Sequence, residues 1–498
     1  MKRINYILIA FATLLAVSCG KDFLERYPRG QWYAENFTAD EVPYKILIEG
    51  ELASAYAAQH SYDFNASAPT LHCISTDDAD KGSTESDMSW AKIIDAHTWD
   101  ASASVVNQYY VAWYNVITYC NRAISYAEGA GQYDETISQE ESDYYKAQAL
   151  TIRAHAYFRL IQAFGDVSYV DRELGQTEAT PARTDKEEVY ALLVSQLEWA
   201  VPHLKTRRQL VADGEPGRVS QNSARAVLAK ICLYRQDWAG CRGWTEAIIA
   251  SGDNDLSTPF DQIWTEAQEF GPESVYEMDL DYKPSLSINS AGNHQWANIQ
   301  GFRGQPNAGW GMNGPSALLR ADMAGDPRYS ATVLGDGDVR DGVSFKSAVV
   351  PNPYYNAKCY APLAEQQLYN RNSANAQWLN VRIIRYSDIV LMHAEAACEL
   401  GELDDALAKL EMVRARARGG DANALPAITG GSQAQIREAI HTERRFELAM
   451  EFERYFDLVR WGETGKITGF VTGAHELYPI PQKQIDASNG ILTQNPGY

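Results

Sequence analysis

Two stretches of this sequence match each other at a fixed offset. "LAKICLYRQDWAGCRGWTEAI" aligns with "HAEAACELGELDDALAKLEMV" when Ala229 is set on Ala394. Gln236 then falls on Gly401, Trp238 on Leu403 and Cys241 on Ala406. Each stretch has the apolar period of a helix, a turn, and the period again, with small residues where two helices must approach closely. A single helical hairpin cannot bury its apolar face. It must stack on neighbours, so this repeat directs the chain towards a layered helical scaffold.

The hairpins read as tetratricopeptide-like. Val105, Val106, Tyr109, Trp113, Val116, Ile117, Cys120 and Ile124 keep helical spacing and predict a helix over 102–128. A second helix is expected over 138–164, stopped by Gly165. Thr184-Asp185-Lys186-Glu187 reads as a capping box opening a third, with Val189, Leu192, Leu193, Gln196 and Leu197 on one side. Helices return at 385–418 and 432–461. Between 251 and 380 the helical period is lost: "ESVYEMDL" (273–280) reads as a strand and 315–324 as a brief helix, and the rest is loop. Loops this long in a compact protein usually carry function. The expected fold is mainly α, a tetratricopeptide-like hairpin scaffold with a loop-rich, ligand-binding insert containing a few short strands. One domain, 38–498, is expected, with its scaffold at about 38–250 and 383–462, the loop-rich region at about 251–382 and a tail at 463–498.

Lys2 and Arg3 precede a mostly apolar run from Ile4 to Val17, too short for a spanning helix and right for an export signal. Ala16-Val17-Ser18-Cys19 follows and resembles the lipobox of bacterial lipoproteins, with Leu15 one place further from the Cys than usual. Residues 1–18 are therefore read as a signal peptide, Cys19 as the lipid attachment and 19–37 as a tether. The other cysteines, at 73, 120, 232, 241, 359 and 398, show no CxxC spacing and read as small core residues. With 44 basic and 65 acidic residues the chain has a formal charge of −21, which argues against nucleic acid as a partner.

The usual signs of catalysis are missing. "HAEAA" lacks the second His of a zincin helix, and there is no GxSxG or phosphate loop. In "ERRFELAMEFERYFDLVRW", Glu443, Arg444, Arg445, Glu447, Glu451, Arg454 and Asp457 stand at i, i+3 and i+4, the spacing of a structural ion-pair network. In "TDDADKGSTE", Asp78, Asp80 and Glu85 offer the oxygens calcium takes, but the spacing fits no complete EF-hand, and no metal or other cofactor is assigned. Asp77 and Asp78 read alternatively as hydrogen-bonding partners of a polar ligand.

The aromatic loops carry the strongest functional signal. A sugar has an apolar C–H face and a rim of hydroxyls, so it stacks on an aromatic ring while amides, carboxylates and guanidinium groups bind the rim. Residues 289–313 bring Trp296 and Trp310 near Asn293, Gln295, Asn298 and Arg303, and Trp90 follows the Asp77/Asp78 loop. Trp90, Trp296, Trp310, Asp77, Asp78, Asn293 and Arg303 are the expected glycan contacts.

Along nearly its whole length the chain resembles the SusD/RagB family of Bacteroidetes surface lipoproteins. The resemblance lies in "CGKDFLE" at 19–25, "RAHAYFRLIQAFGDV" at 153–167, "GRVSQNSARAVLAKICLY" at 217–234, "RYSDIVLMHAEAACELG" at 385–401, "ERRFELAMEFERYFDLVRWG" at 443–462, "YPIP" at 478–481 and "QNPGY" at 494–498. It implies a non-catalytic protein, lipid-anchored at the cell surface of the outer membrane. Such a protein delivers oligosaccharide to a SusC-like TonB-dependent barrel. A peptide-binding member of the same family (RagB-like) is the alternative. A protein-interaction scaffold and an unrecognised hydrolase are the more distant readings.

Overall fold

The computed structural model describes residues 44–175, 178–280, 295–306, 309–360, 362–368, 378–421 and 423–498. Residues 1–37, with Cys19, and Asn293 lie outside the described residues.

Three long helices form the first layer: α1 (Tyr44–Ala58), α2 (Ser104–Tyr133) and α3 (Gln139–Phe164). All eight apolar residues that predicted α2 are buried. Helix α3 is buried all round from Ala147 to Phe164, as befits the centre of a helical protein. Ser138 caps its start by accepting from the Glu141 N–H, and Gly165, at φ +69°, ends it. Helix α4 (Lys186–Ala200) corrects the expected capping box. Its cap is Asp185, whose carboxylate accepts from the Glu187 N–H at 2.8 Å, while Thr184 pairs through its backbone with Val167. Leu192 is exposed, so the buried stripe runs through Val189, Tyr190, Leu193 and Leu197.

The sequence repeat becomes two hairpins whose helices begin at matching positions. Helices α5 (Gln221–Tyr234) and α6 (Trp238–Ser251) are followed later in the chain by α7 (Tyr386–Glu399) and α8 (Leu403–Ala417). On the alignment above Gln221 falls on Tyr386, Tyr234 on Glu399 and Trp238 on Leu403. The turn residues also agree: Gln236 at φ +56° and Gly401 at φ +79° both adopt the left-handed conformation. Helix α6 packs on α7, so the hairpins stack as the repeat requires.

The expected helix over 432–461 is two helices, α9 (Gln433–Glu447) and α10 (Arg454–Trp461). Met450 and Phe452, at φ +66° and +75°, break it. The break turns the Phe452 carbonyl towards the His72 ring nitrogen Nδ1, 3.1 Å away.

The loop-rich region holds short strands in antiparallel pairs. Strand β1 (Ala79–Gly82) pairs with β3 (Met312–Pro315), with Asp80 opposite Gly314. Strand β2 (Ser274–Met278), the one read from "ESVYEMDL", pairs with β6 (Val381–Arg385), and β4 (Val333–Gly335) pairs with β5 (Tyr354–Asn356).

Buried charge ties insert to scaffold through the last turns of α9 and the start of α10. Glu443 and Glu447 meet Arg328, and Glu447 also meets Arg385 and Arg416. Arg444 pairs with Asp388 and Asp457. Arg445 reaches Asp78, and Arg454 grips Asp77. This is the structural ion network expected of that segment. Each buried charge has opposite charges at hydrogen-bond distance, without which its desolvation would be prohibitive. The six described cysteines are buried and unpaired, as expected.

Candidate ligand-binding site

The site is built from the loop that follows β1. At Gly82 the chain takes φ +72°, at Ser83 +54° and at Met88 +41°, and then enters a short helix, Ser89–Asp95, that carries Trp90. Left-handed backbone at two non-glycine residues needs support from outside the segment. Lys81 supplies it. The residue is only 5% exposed, and its ammonium donates to the carbonyls of Gly82 (3.2 Å), Thr84 (2.8 Å) and Asp87 (2.8 Å). The loop is thus wrapped around a cation contributed by its own chain. The Thr84 and Ser83 hydroxyls bind Asp87 and hold its carboxyl below the usual carboxylate range. On the other side of Lys81, Asp95 accepts the Lys81 backbone N–H, and burial raises its pKa to about 6.

The second wall is the segment leading into β3. Arg303 donates from Nη1 to the Ser83 hydroxyl (2.9 Å) and the Trp310 carbonyl (3.3 Å), and pairs with Asp87 at 2.8 Å. Both members of that pair are about one-third exposed, so it orients the groups more than it stabilises the fold. Trp90 and Trp310 are each half-buried and pack, with Met88, on one small apolar cluster of Ala66, Ile74, Ala91, Ile299 and Met312. Three of the sequence-predicted residues, Trp90, Trp310 and Arg303, therefore come together. They leave partly exposed indole surface beside a guanidinium, a carboxylate and hydroxyls. That combination can bind an amphipathic polyhydroxylated ligand by stacking and hydrogen bonding.

Trp296 is a correction. It opens a short helix, Trp296–Gln300, and is 6% exposed. Its ring lies edge-on to Phe452, centroids 4.3 Å apart, and stacks on Phe64 at 6.1 Å. It anchors the insert to the scaffold and offers no open face. Asp77 and Asp78 are corrections of the same kind. Arg454 grips both Asp77 oxygens, at 2.9 and 2.7 Å, and Arg445 donates to Asp78 at 2.8 Å. Their backbone carbonyls accept from the Ser316 hydroxyl and N–H, which joins this loop to the end of β3. These aspartates position the site from beneath. The calcium candidates do not converge either. Asp78 faces Arg445, Asp80 accepts from Asn352 at 2.8 Å, and Glu85 pairs with Lys92 at the surface. The Lys81 ammonium already takes up carbonyls that a loop-bound cation would need.

Lys81, Ser83 and Asp87 were missed by sequence reasoning, which weighed Asp77, Asp78, Asp80, Glu85 and Trp90 of "TDDADKGSTESDMSW". The available signal was a single Lys inside an acidic, Gly/Ser/Thr-rich loop.

Comparison with known proteins adds the following. A family model described as the SusD family matches residues 315–475, and a second, described as starch-binding and associating with the outer membrane, matches residues 23–233. SusD-like protein P2 of Formosa agariphila is 25% identical, over 98% of this chain and 99% of that protein. A SusD-like protein of Bacteroides ovatus is 24% identical, over 91% of this chain and 82% of that protein. Among solved structures, a laminarin-binding SusD-like protein superposes with a TM-score of 0.78 at 23% identity, covering 91% of this chain and 99% of that one. Surface glycan-binding protein A from Bacteroides thetaiotaomicron, in complex with laminarihexaose, superposes at 0.76 with 22% identity, covering 90% and 98%. These structures share the fold.

Proposed function

The chain belongs to the SusD family, and on that premise we propose that it is a non-catalytic glycan-binding lipoprotein of the cell surface. Oligosaccharide stacks on Trp90 and Trp310, and Arg303, with Asp87, binds its hydroxyl rim, both held in place by the buried Ser83 hydroxyl. Asn293 and the acylated Cys19, both outside the described residues, keep the roles read from the sequence: a further polar contact and the membrane anchor. The bound glycan is passed to a SusC-like TonB-dependent barrel.

The observation that carries this reading is that Trp90 and Trp310 share one apolar cluster while the partly exposed Arg303 guanidinium ties the Trp310 carbonyl to Ser83 and Asp87 of the Trp90 loop. It is supported by the glycan ligands named for proteins of the same fold.

Two experiments test it. Isothermal titration of the full chain against soluble oligosaccharides, with peptides as a second panel, is expected to find a glycan ligand; binding confined to peptides would overturn the glycan assignment. Membrane fractionation of Cys19→Ala, in cells lacking the barrel, is expected to release the protein. Retention with the membrane would overturn the anchor.

A further inference from the structure

On α9, Glu438 and His441 stand three residues apart and so share one side of the helix. Gly462, at φ +70°, ends α10 and turns the chain back so that Glu463 meets them. One donor atom from each of Glu438, His441 and Glu463 lies within 4.8 Å of the others, the only such three-residue His/Cys/Asp/Glu grouping among the described residues. His441 Nδ1 and Glu463 Oε1 are 3.1 Å apart. Two ligands of one tetrahedral zinc ion, with bonds of about 2.0–2.2 Å, stand about 3.3 Å apart.

The imidazole is held as a ligand would be. His441 is 7% exposed and its ring lies flat on the Trp461 indole, centroids 3.7 Å apart and planes 13° from parallel. Its other nitrogen, Nε2, faces Glu395 at 3.9 Å. Glu395 is itself fixed by Arg460 and by the Trp461 indole N–H at 2.9 Å. A carboxylate on the distal side of the ring is where the partner that orients a metal-binding histidine stands, here 3.9 Å away and beyond hydrogen-bond distance. His441 Nδ1 and Glu463 Oε1 are in direct contact and are the two atoms a shared ion would take. Glu438, exposed one turn away, adds a further negative charge on the open side.

We propose that Glu438, His441 and Glu463 form a binding site for a divalent transition ion of the zinc class, with solvent completing its shell. One imidazole with two carboxylates suits zinc better than calcium or magnesium, which prefer all-oxygen shells. The bound ion staples α9 to the segment after α10. These two helices carry Arg445 and Arg454, which hold the Asp77/Asp78 loop. The ammonium of Lys466 pairs with the second oxygen of Glu463 at 2.5 Å and competes with the metal for that carboxylate.

The test is titration of the full chain, free of any purification tag, with zinc chloride. One saturable equivalent is expected. The exposed change Glu438→Gln should weaken binding about tenfold or more, on the scale of losing a ligand or its support. His441→Gln should abolish it. Lys466→Met, by freeing Glu463, should tighten it. Zinc should raise the Tm of the wild type but not of His441→Gln. Absence of a saturable equivalent, or equal affinity in the wild type, Glu438→Gln and Lys466→Met, would overturn the site.

Discussion

A side chain on Gly82 would press its Cβ into the carbonyl oxygen of Gly311, well inside van der Waals contact. Gly82 ends β1 and Gly311 precedes β3, so this approach sets how closely the Trp90 and Trp310 loops can meet. Gly82 also holds φ +72°, which an L side chain adopts only at a cost. Gly82→Ala should therefore destabilise the fold by about 2 kcal/mol, adding steric displacement to the conformational penalty. It should also weaken glycan binding. Denaturant unfolding checks the first and titration the second. Wild-type values for both would show that the two loops are not coupled through this contact.

The Lys81 ammonium is the internal cation of the Gly82–Asp87 loop. Lys81→Met keeps most of the apolar stem but leaves three carbonyls without their donor. The loop should loosen and have to re-order on binding, a cost of about 0.5–1.5 kcal/mol per immobilised side chain, or roughly two- to twelvefold in affinity. Faster hydrogen exchange across 83–88, with the rest of the chain unchanged, is the accompanying signature. Unchanged exchange there would remove Lys81 from this role.

Glu447 is fully buried and faces Arg328, Arg385 and Arg416 together. Glu447→Gln leaves buried guanidinium groups short of counter-charge and should cost about 3–5 kcal/mol. A loss below about 1 kcal/mol in urea unfolding would mean that the network is screened by water.

Acid should destabilise the protein in two stages. Burial lowers His60 and His97 to about 4 and His72 to about 3, from an ordinary value of 6.5. Because the unfolded chain takes up these protons first, stability is complete above pH 6.5 and declines from there towards pH 4. The buried carboxylates add a second decline. Glu395 and Glu453, though burial opposes it, are held to about 2 by Arg460 and by Lys230 with Arg159, respectively. Their stabilisation is present above the unfolded value of 4.5 and is lost as pH falls towards 2. Urea unfolding at pH 8, 6, 5 and 4 should show falling stability with no change of fold at pH 8 to 6. A flat profile from 8 to 4 would contradict the assignment of these groups.

The scaffold was legible because its signals are local. The period of α2 and the Gly165 stop follow from residues within a few turns of one another, and the offset that lays α5–α6 on α7–α8 compares two patterns each of which is local. The misreadings share one cause: a partner far away in the chain. Asp77 and Asp78 look like free acids until Arg445 and Arg454 are folded against them. Trp296 looks like a loop aromatic until Phe64 and Phe452 enclose it. The α9/α10 break had no glycine or proline to announce it, since Met450 and Phe452 adopt left-handed backbone that only the surrounding packing can impose. Trp90, Trp310 and Arg303 were legible as types, but their convergence depends on the β1–β3 pairing, which no local pattern encodes.

The central claim is that Trp90 and Trp310 form the glycan-stacking surface. It is tested most directly by measuring, for one glycan that binds the wild type, the affinity of Trp90→Ala and Trp310→Ala by isothermal titration. The Trp296→Ala variant serves as a comparison for stability. Each of the first two should lose about tenfold or more in affinity, the scale of one aromatic face plus its buried area, while keeping a near-wild-type Tm. Trp296→Ala should lose Tm above all. Wild-type affinity in both Trp90→Ala and Trp310→Ala would contradict the account and move the binding site elsewhere on the molecule.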